Sequence, residues 1–85
     1  MSDLTRFRKQ FASAQGQVTR YERELAELRE QYREAGADER TELTRRGQAF
    51  HILLDSAQQA ERKAYQALAA EERRVQQPDA FLRFT

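Results

Sequence analysis

Through the first half of the chain, apolar residues recur at Leu4, Phe7, Phe11, Ala14, Val18, Tyr21, Leu25, Leu28, Tyr32 and Ala35. The intervals alternate between three and four without a slip. On a helix of 3.6 residues per turn this places every one of them on a single stripe, whereas a strand needs a period of two. A stripe sustained over that many turns is a heptad seam, and it predicts coiled-coil packing. A helix over residues 3–35 would run roughly 50 Å at 1.5 Å per residue. Ser2 or Asp3 is placed to cap its start.

The seam breaks at Gly36-Ala37-Asp38. Glycine suits the left-handed position that follows many helix C-termini. Asp38 suits the N-cap of a second helix, with Glu39 and Glu42 near its positive end. Residues 36–38 are therefore expected to form a tight turn. The competing reading is one continuous helix that tolerates Gly36 at a cost of about 1 kcal/mol.

Beyond the turn the spacing resumes, with weaker residues, at Leu43, Gly47, Phe50, Leu54, Ala57, Glu61, Ala64, Leu68, Glu71 and Val75. Pro78 is expected to end this helix, since proline lacks the amide donor of a helix interior. The predicted fold is an all-α antiparallel helical hairpin: helix one over 3–35, helix two over 39–77, and a tail over 78–85. Folding about Ala37 sets Leu28 opposite Gly47, Leu25 opposite Phe50, Tyr21 opposite Leu54, Val18 opposite Ala57 and Phe11 opposite Ala64. Large residues mostly meet small ones, as interdigitation requires. Ala14 opposite Glu61 and Leu4 opposite Glu71 are the weak layers of this register.

Helix two carries a second stripe of Ala49, Leu53, Ala60, Ala67 and Ala70, with Ile52 nearby. A bare hairpin has one thin core, and small chains with thin cores need a staple or a partner. The chain has no cysteine to form a disulfide. Self-association as a homodimer, or docking on another protein, is the expected remedy, with Ile52, Leu53, Ala60 and Ala67 as the packing residues. Phe81, Leu82 and Phe84 put three large apolar side chains in the last few residues. They are expected either to fold back over the open end of the hairpin or to anchor in a partner.

No catalytic, cofactor or metal site is expected. His51 is the one histidine, and no cysteine accompanies it; a solvated or structural histidine is the simpler reading. Ser2, Ser13 and Ser56 are the serines, and none lies in a Gly-x-Ser-x-Gly elbow. Glu27, Glu30 and Glu34 share a helical face, but the Glu-x-x-His pattern of a di-metal bundle is missing. Interleaved with Arg23, Arg29 and Arg33, they read as a solvated face.

Net charge is +1, which leaves no overall footprint for nucleic acid. Its distribution is uneven. Residues 1–20 hold four bases and one acid, residues 21–44 four bases and eight acids, and residues 45–85 seven bases and five acids. The middle is acidic and both ends are basic. Arg6-Phe7-Arg8-Lys9-Gln10-Phe11 mixes bases with aromatics, as single-strand binders do, yet both aromatics fall on the seam. The acidic tip is similar in shape and charge to coiled-coil hairpins of factors that enter the secondary channel of bacterial RNA polymerase, with no shared motif and no second docking domain.

The start of the chain lacks a basic-then-apolar leader pattern, and no apolar run approaches the ~20 residues of a bilayer span. A soluble, cytoplasmic chain is expected. The functional expectation is a non-enzymatic interaction module: an adaptor, small chaperone, assembly factor or inhibitor. The alternative is a regulator of nucleic acid or the transcription machinery, working through the basic ends or the acidic tip. Steep weakening by salt would mark that alternative.

Overall fold

The structure, a computed structural model, describes residues 3–82, with side chains described for residues 3–76. Two helices account for it: α1, Leu4–Glu34, and α2, Ala37–Leu82. They pack antiparallel into a rod 73 Å long and about 16 Å across. The radius of gyration is 20.1 Å, against roughly 12 Å for a compact domain of this length.

The seam faces inward. Leu4, Phe7, Phe11, Ala14 and Tyr21 are half-buried, and Val18, Leu25 and Leu28 are buried. Across from them Ala57 is buried, while Phe50, Leu54, Ala64 and Leu68 are half-buried. The register is close to that expected from the sequence. The Phe11 and Tyr65 rings lie 5.6 Å apart, and the Tyr21 and Phe50 rings 6.2 Å apart. Phe50, expected opposite Leu25, thus also reaches Tyr21 one turn away.

The tip departs from the expectation. Among the described residues none has positive φ, so Gly36 does not take the left-handed conformation. Ala35 is extended instead, with φ −82° and ψ 151°, and the chain reverses there. Gly36 occupies the N-cap of α2, its carbonyl accepting from the Arg40 amide at 2.9 Å. Asp38 is then inside the first turn, where its charge still favours the helix dipole. Arg40 closes the tip by reaching back to α1. Its Nε donates to the Tyr32 carbonyl at 3.2 Å, and its guanidinium lies 4.9 Å from the centre of the Tyr32 ring. One side chain satisfies a carbonyl in the last turn of α1 and stacks on an aromatic that the seam leaves exposed.

The open end is closed by Glu71, which the sequence marks as a weak layer. Only 9% of it is exposed. Its carboxylate accepts from the Asp3 amide at 3.4 Å, at the start of α1, and from Arg74 Nε at 3.0 Å. An anion there meets the positive end of the α1 dipole. Asp3 itself makes no side-chain cap, so the negative charge at this terminus comes from across the hairpin.

Helix α2 also continues past Pro78 to Leu82, where the sequence predicts an end. The proline ring holds φ at a helical value. The amide that proline lacks would have served the carbonyl of Arg74, four residues back, which is itself exposed.

Two predictions follow from this geometry. A Cβ built at Gly16 or Gly47 meets nothing within 4 Å, and both lie inside helices. Gly16→Ala and Gly47→Ala should each raise stability by about 0.5–1 kcal/mol in chemical denaturation, and a loss at either site would mean the helices approach more closely than described. The Arg74 hydrogen bond, opposed by burial and helped by the Asp3 amide, holds the Glu71 carboxyl below the usual glutamate range. A depressed carboxyl stabilises the fold above its unfolded-state value and loses that contribution as pH falls toward the folded-state value. The stability gap between wild type and Glu71→Gln should therefore be open at neutral pH and close below about pH 4.

Candidate helix-packing surface

With the seam used inside the hairpin, the outward faces carry whatever the chain offers to other molecules. Ile52 is 71% exposed and Leu53 is 44% exposed. They are neighbours in sequence and therefore point about 100° apart around α2. Leu53, Ala60 and Ala67 recur every seven residues and share one face. Ala60 is exposed and Ala67 half-buried. Ile52 stands off that face, further from the seam. The structure thus groups three of the four helix residues predicted to bind and separates the fourth. Phe81 and Leu82 lie on the last turn of α2, but their side chains, and Phe84 entirely, lie outside the described residues.

The face containing Ala60 and Ala67 is concave. Together with Ala14, Ala64, Gln10 and Gln17 they line an open groove of about 620 Å³ between the helices, with Lys9 and Lys63 at its edges. Four alanines make its floor. Small side chains let a third helix approach closely, and interaxial distances fall toward about 8 Å when the residues at a crossing are small. Glutamine flanks supply hydrogen-bonding groups without charge. This arrangement can seat a helix.

The opposite flank differs. Tyr65, 58% exposed, lies beside the seam with its ring against Phe11. The 3–4 spacing passes over it, since the seam runs through Ala64 and Leu68. An aromatic next to a seam position, level with Phe11 in the predicted register, was the signal that could have revealed it.

At the tip, Glu34, Glu39 and Glu42 border a shallow depression with Gln31, Leu43 and Arg46. Arg45 and Arg46 both pair with Glu42, at 3.5 and 3.8 Å. On α1, Arg33 pairs with Glu30 at 3.2 Å. These pairs are exposed and contribute only tenths of a kcal/mol each. His51 is exposed on α2. Among the described residues no three histidine, aspartate or glutamate side chains converge as metal ligands, and no helix is long and apolar enough to cross a membrane. Compared with protein-family models, curated proteins and solved structures, the chain matches none of them.

Because Ile52 stands off the packing face and is mostly exposed, Ile52→Ser should change folding stability by no more than about 0.5 kcal/mol. Denaturant titration followed by circular dichroism measures this directly, and a larger loss would place Ile52 in a buried contact.

Proposed function

We propose that this hairpin is a non-enzymatic protein–protein interaction module that acts by helix packing, in the manner of an adaptor, small chaperone, assembly factor or inhibitor. One observation carries the reading. Among the described residues the hairpin buries only four hydrophobic side chains, Val18, Leu25, Leu28 and Ala57, while Leu53 stays 44% exposed beside an alanine-floored groove. The helices have spent their shared seam, and among the described residues a second stripe of helical period has no partner element against it. Total accessible area is 7068 Å² for a 10.0 kDa chain, against roughly 5,200 Å² for a compact monomer of that mass. The surplus, about 1,800 Å², is more than the roughly 800 Å² that each partner buries in a specific interface.

The charge pattern favours this over a nucleic-acid role. A basic stripe along one face is the footprint of phosphate binding. Here the bases of the open end, Arg6, Arg8, Lys9, Arg73 and Arg74, are interspersed with Asp3, Glu71 and Glu72 and form no continuous basic stripe.

Leu53→Glu is the decisive variant. Leu53 is not part of the hairpin seam, so helicity should stay near wild type, while association with itself or a partner protein should fall at least tenfold. Sedimentation velocity with parallel circular dichroism reads both. A folded Leu53→Glu protein that keeps its complexes would remove the packing face from the mechanism.

A further inference from the structure

The proposed packing face leaves its occupant open, and the charge layout of the rod narrows it. Extended along α2, the stripe continues as Ala49, Leu53, Ser56, Ala60, Ala67 and Ala70, with Lys63 in the remaining position. The intervals are again four and three. This is a second heptad seam, rotated from the first, and its residues are small except for Leu53 and Lys63.

Resting on the interaction-module reading, we infer that the occupant is a second copy of this chain, packed antiparallel through the second seam of α2 about a two-fold axis near Gln58. Three observations converge on it. The first is self-complementarity. An isologous interface must fit its own reversed image. Reversed about Gln58, Ala49 meets Ala67 of the second copy, Ser56 meets Ala60, and Arg46 meets Ala70. Leu53 meets the aliphatic stem of Lys63, whose ammonium reaches past it to water. Small side chains face small ones in the central layers, and the large residues, Leu53 with Lys63 and Arg46, meet flexible stems or alanine.

The second observation is charge. Residues 21–44 carry four bases against eight acids and surround the tip. The open end holds Arg6, Arg8 and Lys9 on α1 and Arg73 and Arg74 on α2, five bases against Asp3, Glu71 and Glu72, so it stays net positive. Antiparallel pairing lays each acidic tip beside the other copy's basic open end and places Glu42 level with Arg74 twice over. Side-by-side pairing with tips together would set eight acids against eight. Opposite potentials select orientation in this way.

The third is area. A specific dimer buries about 800 Å² on each partner. The rod's surplus over a compact monomer, about 1,800 Å², exceeds that, and pairing through the second seam leaves the Tyr65 flank and the tip uncovered. The product is a four-helix arrangement in which each α2 is covered on two sides.

The chain has no native cysteine, so Ala37→Cys places a single spin label at each tip. The tip lies 21 residues from the axis, so two tips in the antiparallel dimer should be roughly 60 Å apart at 1.5 Å per residue. Tips together would give less than about 20 Å, the spacing of adjacent helix pairs. Light scattering over a concentration series gives the mass, and pulsed electron paramagnetic resonance gives the distance. A dimer with the long distance, made monomeric by both Leu53→Glu and Ala60→Glu, supports the inference. A folded monomer at every concentration overturns the second copy while leaving a different protein as occupant of the same face. A dimer with the short distance overturns the antiparallel arrangement. A dimer that both variants leave intact overturns the inference together with the packing face on which it rests.

Discussion

Two helices in isolation share one seam, and each can hide only the side that faces the other. Everything else about this rod depends on that limit. Three buried apolar residues on α1 and one on α2 are what a single seam gives when several of its positions are small or polar. Aromatic side chains such as Phe11 and Phe50 remain half in water because no third element covers them. Stability and binding are therefore not independent in such a molecule. Any helix that covers the outer stripe binds the folded hairpin and not the unfolded chain, so association and folding reinforce each other through mass action.

The seam supplies attraction but little information about register. An apolar 3–4 repeat shifted by seven residues finds nearly the same partners, which is why coiled coils rely on polar positions to specify alignment. Here the specifying groups stand at the two ends. Arg40 ties α2 to the Tyr32 carbonyl and ring at the tip. Glu71, in a seam position, keeps Arg74 beside it in any register, being three residues away on the same helix, but meets the Asp3 amide only in this one. A slip of one heptad would remove that backbone donor from a mostly buried carboxylate, a larger loss than a mismatched alanine. The weakest layers by hydrophobicity are thus the ones that define which alignment forms.

Periodicity was legible because it depends on residue type alone. The seam, the antiparallel pairing and the reversal near Gly36 all followed from it. What failed followed from chemistry that spacing does not encode. Gly36 was assigned a left-handed cap because glycine permits one, but an extended Ala35 reverses the chain without it. Pro78 reads as a stop because a helix interior needs its donor, yet α2 runs on through it to Leu82. Glu71 looked like a flaw until its partner, 68 residues away in sequence, was beside it. Leu53 and Ile52 were grouped by adjacency, and a helix turns adjacent residues apart. Only the Glu71 contact joins positions that no local pattern connects; the others turn on local backbone geometry rather than residue type.

Exposure by itself argues little about binding, since single apolar side chains are common on the surfaces of stable monomers. Ile52 is the most exposed large hydrophobic among the described residues and carries no part of the case. Leu53 carries it because of what recurs around it. A face in which alanine or serine returns every three or four residues has a shape as well as a polarity: it is shallow, straight along the helix axis and narrow. A loop laid on it would bring unsatisfied backbone groups, and a strand would place alternate side chains away from it. A helix brings its backbone already hydrogen-bonded, and the small residues let it come close enough to gain dispersion contacts along many turns. Under the proposed reading, the geometry of α2 favours a helix as the occupant of this face, and the acidic tip and basic open end favour an antiparallel direction for it.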